Sequence, residues 1–222
     1  MLRESKMENI LKQFRTANAL IDGHFLLSSG LHSPKYLQCA VALQMPSDAS
    51  EYGRQIANHF AETEIDTVAS PAIGGLVIGF AVAQALGMRF IWTERQEGVM
   101  TVRRGFAVNE GDRILVVEDV ITTGGSTREC IAALEGHGGK VVAAASIIDR
   151  SNGAADVGVT RISLVSLDVP SYKPEDCPLC ADGIEAVKPG SRTNVSEPHP
   201  PANAGGTDGE VVPPAHAGGT DI

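Results

Sequence analysis

Glu118 and Asp119 stand side by side, and Thr122, Thr123, Gly124, Gly125, Ser126 and Thr127 follow closely. Carboxylates accept hydrogen bonds from alcohols or hold a metal, whereas hydroxyls and the amides of a glycine-bearing turn donate to an anion. An acidic pair directly before a phosphate cradle would repel a bare polyphosphate. A sugar phosphate gives every group a partner, with ribose hydroxyls on Glu118 and Asp119 and a 5′-phosphate on residues 122–127. The loop lacks the Gly-Lys-Ser/Thr of a P-loop. Dinucleotide fingerprints, for their part, have no acidic pair ahead of their glycines.

The surrounding residues supply the elements that would hold such a site. Ile114-Leu115-Val116-Val117 is apolar and mostly β-branched, as in a strand buried on both faces of a parallel sheet. Residues 128–134 suit a helix packed on that sheet. Its N-terminus brings free N–H groups and the positive end of the helix dipole to the loop. The plainer alternative is a strand–turn–helix whose Ser or Thr merely caps the helix.

The stretch Val116-Val117-Glu118-Asp119-Val120-Ile121-Thr122-Thr123-Gly124-Gly125-Ser126 resembles the phosphoribosyl pyrophosphate motif of type I phosphoribosyltransferases. Gly23-His24-Phe25-Leu26-Leu27-Ser28-Ser29-Gly30, with Ser33-Pro34-Lys35-Tyr36 after it, alternates and turns like a short hairpin. It resembles the N-terminal signature of orotate phosphoribosyltransferases. The resemblance covers residues 23–192. It implies an α/β fold, an open and mainly parallel sheet flanked by helices. Residues 1–45 would form a helix and hood, 46–170 the core and 171–192 its extension.

The resemblance also implies a reaction and a residue set. Phosphoribosyl would pass from phosphoribosyl pyrophosphate to N1 of orotate, through an oxocarbenium-like displacement that inverts the anomeric carbon. Residues 118–126, from Glu118 through Val120, Ile121 and Thr122 to Ser126, would hold the phosphoribosyl pyrophosphate, with Ala72, Ile73 and Gly74 at its pyrophosphate. Thr122, Arg150 and Tyr36 would hold orotate. Asp119 and Arg95 would act in catalysis, and Arg103 and Arg104 are the nearest basic residues for the mobile loop. Mg2+ would be carried mainly by substrate near Glu118 and Asp119, and a homodimer would exchange loops at the active site.

Four positions depart from the family pattern. Ser28 and Gly74 stand where lysines are usual, Leu37 replaces an aromatic, and no Lys-x-His-Gly follows Arg95. Lys35 could compensate for the first or simply be solvated. Arg103 and Arg104 could equally cap the following strand. The loop at 72–75, taken alone, could be only a close-packed connection.

Elsewhere the pattern gives an amphipathic helix over 5–21 and another over 48–64 with Asp48 as N-cap. A strand at 67–69 leads through 70–75 into a helix at 76–86. Strands follow at 89–93, 140–150 and 161–169. Arg150 ends the second of these, on the sheet edge where open α/β proteins bind ligands. Its planar guanidinium suits a carboxylate, the alternative being a salt bridge with Asp149. Cys177-x-x-Cys180 is half of a tetrahedral metal site, and Cys39 and Cys130 have no matching spacing. Inert thiols are therefore expected there, with a metal shared across a dimer as the other possibility. Residues 193–222 turn to Pro, Gly, Ala and Thr without periodicity and read as a disordered tail.

A net charge of −9 argues against nucleic acid or an anionic membrane as partner. Neither a secretory leader nor a bilayer-spanning run is legible, and 4 cysteines in 222 residues fit a reducing cytoplasm. Two rival functions stay open: transfer to another base, and a non-catalytic sensor of phosphoribosyl pyrophosphate.

Overall fold

A computed structural model describes residues 2–27 and 30–189, with side chains from residue 7 onward. Helix α1 (Leu2–Thr16) precedes the hairpin β1 (Leu20–Leu26) and β2 (His32–Leu37), then α2 (Cys39–Ala42) and α3 (Pro46–Asn58). The core continues with β3 (Thr67–Pro71), α4 (Gly75–Leu86), β4 (Arg89–Gln96), β5 (Val99–Val102), β6 (Arg113–Ile121), α5 (Gly125–Glu135), β7 (Lys140–Asp149) and β8 (Arg161–Ser166). A single helical turn, α6 (Pro178–Ala181), lies near the end.

The main sheet has the order β5-β4-β3-β6-β7-β8, parallel throughout except for β5 against β4. Strand β6 lies inside it and shows why an unbroken apolar run is needed. Successive side chains alternate faces: Leu115 and Val117 enter the core formed with α3 and α4, while Ile114 and Val116 pack with Cys130, Ile131 and Leu134 of α5. Helices on both faces bury the strand, and its carboxyl end emerges between α4 and α5. That edge is where the acidic pair lies.

Several boundaries correct the sequence reading. Helix α1 stops at Thr16 because Asn18 adopts a left-handed φ of 54°, so Leu20 and Ile21 belong to β1. Asp48 is not an N-cap. Met45 occupies that position, Pro46 opens α3 with its preset φ, and Asp48 sits in the first turn facing the dipole. The same helix ends at Asn58 rather than near residue 64. Strand β4 runs to Gln96 and turns through Glu97 (φ 52°) and Gly98 (φ 86°) into β5. Two positive-φ residues make a tight hairpin, so Arg95 lies in sheet and only Arg103 and Arg104 enter the loop that follows.

The short hairpin legible in the sequence forms, between residues 20 and 37, and it is the piece to which the resemblance gives the hood role. Strands β1 and β2 pair antiparallel from Leu20↔Leu37 to Leu26↔His32. Two distant points of the chain tie to it. The His32 N–H donates to the Tyr172 carbonyl at 2.8 Å, and the reciprocal bond is 2.9 Å. The Leu26 N–H donates to the Val187 carbonyl at 2.9 Å, and the Val187 N–H to the His24 carbonyl at 2.8 Å. The chain is thus stitched onto the hairpin at Tyr172 and Val187. The expected tail at 193–222, and Ser28, lie outside the described residues. Among the described residues no helix is long and apolar enough to cross a membrane.

Candidate active site

At the carboxyl end of β6 the chain passes from buried strand to open loop within a few residues. Glu118 is buried and Asp119 half-buried, whereas Thr122, Thr123 and Ser126 are exposed. Gly124 turns the chain with φ 75°, and a Cβ there would lie 2.8 Å from Val157 Cγ1, so both conformation and space call for glycine. Helix α5 starts at the next residue and aims its first amides into the loop. Arg128 braces the turn by donating to the Thr123 carbonyl at 3.0 Å.

A groove of about 420 Å3 follows this loop, floored by Glu118 and Asp119 and walled by the β3–α4 connection at Ala72 and Gly74. Gly74 is packed so tightly that a Cβ would meet Asp119 Oδ1 at 2.8 Å, and one on Gly75 would meet the Val117 carbonyl at 2.8 Å. A bare backbone is what lets the second loop lie against the acidic pair. The Ala72–Ile73 peptide is cis, and Ile73 points outward without lining the groove. Arg95 also lines the groove. It pairs with Glu129 on α5 and donates from Nη1 to the Gly98 carbonyl at 2.9 Å.

The acidic pair is electrostatically loaded. Asp119 folds back to accept the Val120 N–H at 2.8 Å, and Glu118 Oε1 accepts the Asp119 N–H at 3.2 Å. Burial, reinforced by the neighbouring Asp119 charge, raises the Glu118 carboxyl far above the ordinary carboxylate range. The free site thus favours the protonated form of Glu118. A cation or a donor array would draw its proton off.

A second cavity, of about 540 Å3, shares Thr122 and Thr123 with the groove. Leu26, Leu31 and Tyr36 of the hood line one side, and Arg150, Val169 and Lys188 the other. Arg150 does not pair with Asp149. Asp149 instead takes Arg161 Nη1 at 3.1 Å, the Ser151 N–H at 2.8 Å and the Gly153 N–H at 2.9 Å. The Arg150 Nε is buried and finds no hydrogen-bond partner among the described residues. Desolvation correspondingly lowers the pKa of its guanidinium.

The structure thus gathers Glu118, Asp119, Val120, Ile121, Thr122, Thr123, Gly124, Gly125, Ser126, Ala72, Gly74 and Arg95 at one groove, and Tyr36, Thr122 and Arg150 at the adjoining cavity. Arg103 and Arg104 are not brought there; both pair with Glu94, Arg103 at 3.8 Å. Lys35 pairs with Asp22 on the hood instead of entering the cavity. Lys188, a cation at the cavity, went unassigned from sequence because its approach depends on Val187 joining the hood.

The sequence matches the phosphoribosyl transferase domain family over residues 44–179. The orotate phosphoribosyltransferase of Caldicellulosiruptor bescii is 50% identical over 182 residues, which is 82% of this chain and 96% of that protein. The chain belongs to the orotate phosphoribosyltransferase family. Its fold agrees with that of a solved member from Aeropyrum pernix, with a TM-score of 0.61 and 26% identity over 70% of this chain and 92% of the other. The Mycobacterium tuberculosis family member, solved with 5-phospho-α-D-ribosyl 1-diphosphate, gives 0.56 and 25% identity over 71% and 96%. The sheet is the mainly parallel, helix-flanked α/β arrangement of these relatives.

Proposed function

We propose that this chain transfers the phosphoribosyl group of phosphoribosyl pyrophosphate to N1 of orotate, giving orotidine 5′-monophosphate and pyrophosphate. The observation that carries the reading is the buried, unpartnered Arg150 Nε in a cavity that meets the acidic groove at Thr122 and Thr123. A nucleobase with its own carboxylate gives that guanidinium a charged acceptor in a fork geometry, where uracil or a purine base offers only neutral carbonyls and ring nitrogens.

The amides and hydroxyls from Thr122 to Ser126 bind the 5′-phosphate, and Glu118 and Asp119 accept the ribose hydroxyls. Backbone groups of Ala72, Ile73 and Gly74, with Arg95, bind the pyrophosphate. Tyr36 covers one face of orotate, while Thr122 and Arg150 orient it toward the anomeric carbon. Little covalent chemistry is asked of the protein. It holds reactants in line, excludes water under the hood and stabilises charge as the glycosidic bond breaks. Asp119, beside the reacting carbon, faces the positive charge that develops there.

The acidic pair fits Mg2+, since adjacent carboxylates, one of them held toward its neutral form by burial and by its neighbour's charge, form an oxygen donor set that a dication relieves. Carried mainly by substrate near Glu118 and Asp119, the ion would neutralise the departing pyrophosphate. A homodimer that exchanges loops accounts for Arg103 and Arg104, which stand on Glu94 in one chain and would reach a partner's pyrophosphate. Supporting it, Ile73, Val77 and Phe80 expose an apolar stripe at the start of α4, at 83%, 48% and 60% exposure. A reducing cytoplasm suits the four free thiols.

The decisive experiment follows orotate depletion by absorbance in the presence of phosphoribosyl pyrophosphate and Mg2+. Turnover of orotate is expected, with none of hypoxanthine or uracil. The opposite preference would overturn the base assignment, and binding of phosphoribosyl pyrophosphate without any turnover would favour a sensor.

A further inference from the structure

Cys177 and Cys180, half of a tetrahedral ligand set in the sequence, meet the other half in space. His24 and His32, one on each strand of the hood, bring their ring nitrogens to the two thiols, and the four ligand atoms lie within 4.8 Å of one another. His24 Nε2 is 2.8 Å from His32 Nδ1 and 3.4 Å from Cys177 Sγ, and Cys180 Sγ is 3.3 Å from His32 Nδ1 and 3.9 Å from His24 Nε2. Zinc bonds of about 2.0–2.1 Å to nitrogen and about 2.3 Å to sulfur put tetrahedral ligand atoms roughly 3.3–3.8 Å apart. The separations of 2.8–3.9 Å bracket that range, the two imidazole nitrogens standing closer together than they would around an ion.

Three further features bear on the ligand. The His24 Nδ1–H donates to the Ile184 carbonyl at 2.7 Å, which fixes the tautomer and leaves the Nε2 lone pair facing the cluster. His24, His32 and Cys177 are buried, so polar atoms are gathered where water cannot serve them, and only Cys180 opens to solvent. Two thiolates and two neutral imidazoles cancel the charge of a divalent ion, their two thiol protons leaving to solvent. None of the four residues lines the groove or the neighbouring cavity.

We infer that His24, His32, Cys177 and Cys180 form a structural Zn2+ site that clamps the segment around α6 to the hood. With all four positions filled by protein, the ion has no open site for substrate and its work is mechanical. It joins points 153 residues apart in sequence, next to the His32–Tyr172 and Val187 backbone bonds that anchor the same two segments. The inference stands on the cluster alone and needs no assumption about the reaction.

The test uses the full-length protein purified without added metal. Elemental analysis is expected to find zinc at about one equivalent per chain, and chelation to lower Tm by at least about 5 °C, restored by Zn2+. Cys180→Ser and His32→Ala should each abolish stoichiometric zinc. Should these variants fail to fold, the chelated wild-type chain decides the matter. Co2+ added to it must develop the thiolate charge-transfer and intense visible bands of a tetrahedral centre, bleached by Zn2+. Wild-type protein that carries no zinc, takes up neither ion and keeps its Tm under chelator overturns the inference, as does a Cys177–Cys180 disulfide found by mass spectrometry.

Discussion

Asp149 and Arg150 are chain neighbours that take opposite sides of the sheet edge. The carboxylate is held at 3.1 Å by Arg161 and capped by the amides of Ser151 and Gly153, which leaves Arg150 to face the hood. This division of labour leaves the Arg150 Nε without a partner among the described residues, on which its proposed role as anion receptor rests. Replacing Arg150 by Ala should raise the KM for orotate and cut kcat/KM by roughly 10–150-fold, the worth of about 1.5–3 kcal/mol for a hydrogen-bonded charge. Arg150→Lys keeps the charge but not the fork and should recover only part of the loss. The thermal midpoint should hardly move. Steady-state kinetics against orotate at saturating phosphoribosyl pyrophosphate, with a melting curve for each variant, make the check. A loss of activity matched by a loss of fold would assign Arg150 to structure.

Glu118 gives a prediction with a definite sign. Its folded-state pKa is raised above the ordinary value of 4.5, so between that value and the raised one the native state holds a proton that the unfolded chain has released. Stability from this group is therefore complete below about 4.5 and declines as pH climbs toward the folded pKa. Glu118→Gln should flatten that decline and stabilise the free protein at pH 8, by an amount of order 1–3 kcal/mol. The same change should weaken phosphoribosyl pyrophosphate binding, because a neutral amide cannot give up a proton to grip the ribose. Asp119→Asn should lower kcat and, by removing the neighbouring charge, soften the same decline less than Glu118→Gln does, since burial is the larger cause. Urea unfolding at pH 5 and pH 8, set beside calorimetric binding, separates the two roles. Equal slopes in wild type and Glu118→Gln would remove the electrostatic argument.

The loop at residues 122–127, to which phosphate binding is proposed, depends on one backbone conformation. Gly124 sits at φ 75° with Val157 Cγ1 where a Cβ would go, at 2.8 Å. Gly124→Ala adds both left-handed strain and a close contact, costing about 1–2 kcal/mol of stability. Its larger effect should fall on phosphoribosyl pyrophosphate, whose 5′-phosphate needs the amides of Gly125 and Ser126 in register, so its KM should rise by tenfold or more. Orotate, bound beyond Thr122, should be affected far less. Comparing the two KM values in one preparation tests the loop's role directly.

What could be read from sequence, and what could not, follows from the range of the interaction. The β6–α5 unit was legible because the apolar run at Ile114–Val117, the acidic pair and the glycine turn are contiguous and each constrains its neighbour. The hood was legible for the same reason. Asp48 was misread since a good capping residue outweighed Pro46, whose fixed φ actually starts the helix. The turn at Glu97–Gly98 was not legible because only Gly98 favours positive φ, and Glu97 adopts φ 52° where β4 and β5 pair around it. The partners of Cys177 and Cys180 lay out of reach altogether. His24 and His32 meet them only after the C-terminal segment docks on the hood, and no local spacing records that event.

Arg103 and Arg104 carry the last prediction. In a single chain both guanidinium groups are held by Glu94, and Arg104 has a left-handed φ of 58° in the turn leaving β5. If the loop acts on a neighbouring subunit, these contacts must break as it closes, and the pair works on a site other than its own. A subunit carrying Arg103→Ala and Arg104→Ala retains an intact groove, whereas one carrying Asp119→Asn retains an intact loop. Each homodimer should be slow. Mixed dimers, formed by refolding the two together, should regain activity, because one of their two sites combines a good groove with a good loop. Mixed dimers no faster than the average of their parents would show that each chain closes over itself.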